Sequence, residues 1–179
     1  VLLVERFDRV PVGEGWRRRA MVSALTWTGE GEVSAHHVAY MELAEIVRNR
    51  FRSVERDLSE LFRRMAFNVL VGNTDDHAGN HAAFWDGEML DLTPAYDVAP
   101  QPRGWREASQ ALNIVPGDRR SRLEACVRAA PSFLMSEGEA RREINDLVEA
   151  IAAHWRDACE ETRLSATERS YFAGRQFLN

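Results

Sequence analysis

The longest run of periodic hydrophobic positions is Leu58, Leu61, Phe62, Met65, Ala66, Val69 and Leu70, spaced at threes and fours. That spacing puts a wide apolar stripe on one face of a helix predicted over Asp57 to Val71. Val38, Met41, Ala44 or Glu45 and Val47 or Arg48 follow the same period and predict a helix over Ser34 to Phe51. A long element from Ser136 to about Arg163 puts Ala140, Ile144, Leu147 or Val148, Ile151, Trp155 and Ala158 on one face. Ser121-x-x-Glu124, Ser136-x-x-Glu139 and Ser165-x-x-Glu168 each match a capping box ahead of a periodic segment. Phe62, Phe67, Phe133 and Trp155 read as core aromatics.

Strand signals are fewer. Val1 to Phe7 reads as a buried strand that begins abruptly, as if continuing something upstream. His81 to Trp85 and Glu88 to Leu92 form a predicted hairpin, because the Asp86-Gly87 link supplies positive φ at little cost. Ser109 to Val115 predicts a further strand, and Trp16 to Trp27 fits either helix or irregular chain. Between the strongest helix and the hairpin lies Gly72-Asn-Thr-Asp75-Asp-His77-Ala-Gly-Asn80, which ends the helix and reads as a loop. No repeat or linker divides the chain, so residues 1–179 are expected to be one domain, mainly α (α+β), with a small hairpin beside a polar loop.

Composition narrows the chemistry. All 23 basic residues are arginine, which excludes a Schiff-base lysine and the lysine of a Walker-A loop. The formal charge of −5 argues against sequence-independent nucleic-acid binding, so no direct nucleic-acid contact is expected. Cys126 and Cys159 lie far apart without CxxC spacing, which favours a cytoplasmic protein without a disulfide framework. No apolar run reaches the ~18 residues of a membrane helix, so no membrane partner is expected.

The polar loop carries the candidate chemistry. Asp75 and Asn80 are five apart, and Asp97 follows the hairpin. Phosphoryl transfer from ATP needs one carboxylate to orient the acceptor hydroxyl, and an amide and a second carboxylate to hold magnesium on the phosphates. Asn suits the second position because it ligates through a neutral oxygen. Two other readings stay open at this point: Asp, Asn and Gly in loops serve ordinary turn chemistry, and Asp75, His77 and His81 offer O and N ligands to zinc. Trp16-Arg17-Arg18-Arg19 reads as a solvated basic helix face.

The run from Asn68 through Asp75, His77 and Asn80 to His81, followed by Leu92-Thr-Pro-Ala-Tyr96-Asp97-Val-Ala-Pro100, resembles the signature of the HipA family of bacterial serine/threonine kinases. Val4 to Arg9 looks like that family's hinge strand. The resemblance implies the C-terminal lobe of a HipA/PI3-4-kinase-like fold binding ATP and Mg2+. It implies Asp75 as catalytic base, Asn80 and Asp97 as magnesium ligands, and His77 as support for the nucleotide. Glu5, Arg6 and Phe7 match the hinge against adenine. A HipB-like DNA-binding antitoxin and a protein substrate, in this family an aminoacyl-tRNA synthetase, are the implied partners.

The family's Gly-rich loop, regulatory serine and ATP-anchoring lysine lie upstream of its hinge and are not in these residues; Gly29-Glu30-Gly31 is too short and misplaced to replace the loop. Three functions follow: a serine/threonine kinase lobe, a catalytically incomplete kinase-like module that contacts an antitoxin or regulator, or a small-molecule kinase. The 179 residues alone are expected to fold but to transfer phosphate poorly.

Overall fold

A computed structural model describes residues 6–29, 31, 38–101 and 108–173. The predicted N-terminal strand lies largely outside these residues. Its described end, Arg6 and Phe7, enters a turn rather than continuing as strand. The first strands are β1 (Arg9–Val12) and β2 (Gly15–Arg18), an antiparallel hairpin in which Arg9 pairs with Arg18 and Val12 with Gly15. Gly13, with φ of 58°, makes the reversal. Trp16 to Arg19 is therefore strand and strand end, not a helix face. The chain continues as β3 (Met21–Ser23) and the short helix α1 (Ala24–Thr28), so the segment of undecided structure is strand in its first part and helix at its end.

The next helix, α2 (Tyr40–Arg50), is shorter than the predicted Ser34–Phe51 element, whose first residues fall partly outside the described set. It is followed by α3 (Val54–Val71), the strongest periodic segment, which carries the buried stripe from Leu58 to Val71. α3 ends where Gly72 turns left-handed at φ 71°, with the Gly72 N–H on Val69 O and the Asn73 N–H on Asn68 O. Two orphan carbonyls of the last turn are thus satisfied, and the chain leaves the helix axis directly into the polar loop.

After the loop, β4 (Ala82–Trp85) and β5 (Leu90–Leu92) form the predicted hairpin, and β3 completes an antiparallel sheet in the order β3-β4-β5. The connection is longer than two residues, because Trp85 pairs with Leu90. Asp86 closes it by accepting the Glu88 and Met89 N–H groups at 3.0 and 2.9 Å. Those bonds and Arg52 hold its carboxyl down to a pKa of about 2. The predicted strand over Ser109–Val115 is instead a series of isolated bridges, Ser109 to Arg120, Asn113 to Ala39 and Val115 to Asp118.

The C-terminal part is helical: α4 (Leu123–Ala129), a 3-10 turn over Ala130–Phe133, α5 (Glu137–Glu161) and α6 (Ala166–Phe172). The capping boxes at Ser136 and Ser165 form, with Glu139 and Glu168 N–H donating to the serine oxygens at 3.2 and 3.3 Å. The third does not. Arg122 occupies the cap position of α4, because the Ser121 N–H is already bonded to Ala108 O at 2.8 Å. On α5, Ala140, Ile144 and Leu147 face the core as expected, but Cys159 replaces Ala158 as the buried residue near its end. α3 lies against α2, α4 and α5, and its Phe62 meets Phe133 edge to face at 5.5 Å. Phe67 and Trp155 are only half-buried.

Candidate active site

The polar loop is fastened at both ends before any chemistry is considered. Asn73 Nδ2 donates to Asn68 Oδ1 at 3.0 Å, doubling the backbone bond that closes α3. Thr74 O accepts from Ala111 N–H at 2.9 Å and Asp76 O from Leu112 N–H at 3.3 Å, so the residues on either side of Asp75 are both pinned through their carbonyls to one neighbouring segment. The consequence is a reversal of environment between adjacent residues: Asp75 is exposed, whereas Asp76 is 3% exposed.

Asp76 is the hub of a buried network. It accepts from the Tyr40 hydroxyl at the start of α2, and its carboxylate faces His81 Nε2 at 3.1 Å. Tyr40 and His81 are fully buried and meet edge to face at 5.4 Å. A buried carboxylate without partners would be costly, so this hydroxyl and imidazole are what permit Asp76 to sit inside. His81 O in turn accepts from Ala24 N–H at 2.8 Å, joining the loop exit to α1. The zinc reading fails here on geometry. His81 Nε2 is turned to Asp76, and exposed His77 uses Nδ1 to accept the Gly79 N–H at 3.1 Å. Among the described residues no group of three or more His, Cys, Asp or Glu side chains could hold a metal ion.

Asn80 is buried, and its Nδ2 reaches Asp75 O at 3.4 Å. This turns the amide so that Oδ1, a neutral oxygen acceptor, lies outside that bond. Asp97 is exposed and left-handed, φ 56°, which a non-glycine residue adopts at a cost. Its neighbour Tyr96 joins it to the loop through a hydroxyl donating to Gly79 O at 2.6 Å. Burial pushes the Tyr96 phenol above its usual 10.0, Arg64 opposes this, and Asp97 and Asp76 add to it. The phenol therefore senses both carboxylates and the arginine. A buried arginine fixes the same stretch: Arg64 donates to Thr93 O, and to Glu60 at 2.7 Å. Thr93 bonds back to Ala82 O in β4.

Of the hinge residues, Glu5 lies outside the described residues. Phe7 packs at 6.0 Å from Tyr96 and 6.1 Å from Phe84, so it meets the segment carrying Asp97. Arg6 turns away from it and pairs with Asp8 at 2.7 and 2.8 Å. A cleft of about 200 Å3 adjoins the loop, bounded by Asp76, Asn80 and His81 on one side and by Arg64 and Phe67 of α3 and Leu147 of α5 on the other. Sequence reasoning missed Tyr40, Asp76, Tyr96 and Arg64. Only the doubled aspartate hinted at one of them.

Residues 1–155 match the family described as HipA-like C-terminal domain. The chain belongs to that family. Its fold is similar to that of a solved chain from the "Shewanella oneidensis MR-1 Toxin Antitoxin System HipA, HipB and its operator DNA complex", with a TM-score of 0.76 and 17% identity. The likeness covers 96% of this chain but only 45% of that one, so this chain spans less than half the length of the structure it resembles. Among curated proteins nothing matches it.

Proposed function

We propose that this chain carries the catalytic half of an ATP-dependent serine/threonine protein kinase of the HipA type. The observation that carries the reading is the loop itself. A solvent-facing Asp75 stands between two pinned residues, the buried Asn80 amide bonds back to its carbonyl, and Tyr96 ties the left-handed Asp97 to the same loop. In this reading Asp75 accepts the hydrogen bond of the attacking hydroxyl and orients it, and its exposure leaves room for a protein acceptor. Asn80 and Asp97 supply hard oxygens for Mg2+, which neutralises phosphate charge when bound. Phe7 offers its ring to adenine, and His77, held by Gly79, stands at the loop's outer face. Glu5 and Arg6 take part through the hinge.

A HipB-like antitoxin is the proposed protein partner, by analogy with the complex to which the similar structure belongs. The net charge of −5 supports leaving DNA contact to that partner. An aminoacyl-tRNA synthetase is the proposed class of target. Substituting Asp75→Asn in the full-length protein should lower phosphate incorporation from labelled ATP by roughly 10²–10⁴-fold, with the melting temperature unchanged because Asp75 is exposed. Undiminished incorporation would sink the assignment.

A second reading, a kinase-like module that only contacts a regulator, is favoured by the absence of any lysine among the 179 residues. Calorimetry with Mg-ATP on the full-length protein separates the two, since a live site binds nucleotide and an idle scaffold need not.

A further inference from the structure

The peptide that joins Gly79 to Asn80 is gripped from both sides. Its carbonyl accepts the Tyr96 hydroxyl at 2.6 Å, and its N–H donates to His77 O at 2.8 Å. The His77 imidazole turns back on the same stretch, where Nδ1 accepts the Gly79 N–H at 3.1 Å. A methyl group on Gly79 would stand 3.0 Å from that ring, so any side chain here would force the imidazole aside. The plane of a peptide fixes the direction in which the next residue leaves it. Tyr96 and His77 therefore set how the Asn80 side chain departs from the backbone.

Tyr96 also governs Asp97. The aspartate follows it directly and holds φ at 56°, a conformation that persists only where the surroundings impose it. The hydroxyl bond to Gly79 fixes the preceding residue on one side. On the other, the Tyr96 ring meets Phe7 at 6.0 Å with a tilt of 40°, and Phe7 meets Phe84 edge to face at 6.1 Å. One side chain thus touches the loop of Asn80, adjoins Asp97 and packs on the aromatic ring offered to adenine.

We propose that Tyr96 is a positioning residue that couples base binding at Phe7 to metal binding at Asn80 and Asp97; this inference rests on the kinase reading above. Its hydroxyl and its ring have separable tasks. The hydroxyl aligns the two oxygen ligands by holding the Gly79 carbonyl, and the ring receives the contact from Phe7. A base seated on Phe7 favours the arrangement in which Phe7 is packed on Tyr96, and that is the arrangement in which Asn80 and Asp97 are held together. Each ligand then strengthens the other by the same factor without touching it.

The test is a titration of the full-length protein with Mn2+, read from the paramagnetic resonance of the free ion, with and without saturating adenosine. Adenosine carries the base and no phosphate, so any change in Mn2+ affinity passes through the protein. In the wild type, adenosine should tighten Mn2+ binding by roughly fivefold or more, and Asp97→Asn should remove most of that binding. Tyr96→Phe keeps the ring beside Phe7 and loses the bond to Gly79. It should weaken Mn2+ binding by about fivefold, the loss that one hydrogen bond represents. The enhancement by adenosine should disappear with it, while adenosine affinity measured without Mn2+ stays at the wild-type value. Gly79→Ala, which displaces the His77 ring from the same peptide, should reproduce both losses with Tyr96 intact. An adenosine enhancement that survives in Tyr96→Phe would overturn the coupling and leave the kinase reading standing, as would a wild type that binds both ligands independently. Mn2+ binding indifferent to Asp97→Asn would overturn the metal assignment itself, and this inference with it.

Discussion

Asp75 and Asp76 are chemically identical neighbours, and the fold gives them opposite work. Asp76 spends its lone pairs on Tyr40 and His81 inside the protein, while Asp75 keeps its own toward solvent. The division follows from where the flanking residues are tied, at Ala111 and Leu112. Asp8 shows a third use of the same side chain. Arg6 grips it bidentately, and Arg6 with Arg9 at 3.6 Å holds its carboxyl down to a pKa of about 2. A carboxyl lowered in the folded state stabilises above its ordinary value near 3.8, and that contribution disappears as pH falls through about 2. Thermal melting of the wild type and of Asp8→Asn should therefore show a constant gap above pH 5 that closes toward pH 2. A gap that persists to pH 2 would mean that the pairing contributes nothing to stability. Aspartates in loops were legible as candidates for chemistry; which one faces water was not, because that depends on contacts 35 residues and more away in the chain, such as Tyr40 to Asp76 and Ala111 to Thr74.

Elements followed their sequence signals where those signals are local. α3 carries its stripe because helical period alone dictates which side chains share a face, and Gly72 stops it because left-handed backbone suits glycine. The capping motifs separate the local from the non-local. Ser136 caps α5 with two reciprocal bonds: its hydroxyl oxygen accepts the Glu139 N–H at 3.2 Å, and its own N–H donates to the Glu139 carboxylate at 2.8 Å. The same pattern at Ser121 is overridden by a backbone bond to Ala108. Ser136→Ala should accordingly cost about 1 kcal/mol in denaturant unfolding, whereas Ser121→Ala should lose no capping contribution. Equal losses at both sites would contradict this assignment of caps. The extended segments fared worse. β1, β2 and β3 are only three or four residues long, and a strand's partner is a property of the tertiary fold rather than of its own sequence.

At the scale of the molecule, one core built around α3 holds a loop, a hairpin and the Thr93–Asp97 segment in a fixed relation, with Arg64 as the internal tie. The chain contains no lysine, so under the proposed kinase function the lysine cation that anchors ATP phosphates is not supplied by these residues. Residues 1–179 alone should fold cooperatively on heating yet incorporate little labelled phosphate compared with the full-length protein, and efficient turnover by the 179 residues would refute the half-site reading. What the amino-acid sequence determined unaided was the helical class, the end of α3, the hairpin beside a polar loop and the Asp75–Asn80–Asp97 spacing, because period, caps and turn residues act over a few positions. The tertiary structure alone decided the inversion of Asp75 and Asp76, the Tyr40–Asp76–His81 network and the cleft beside the loop. Each of these is a matter of burial, and burial is settled only when distant segments have closed around a side chain.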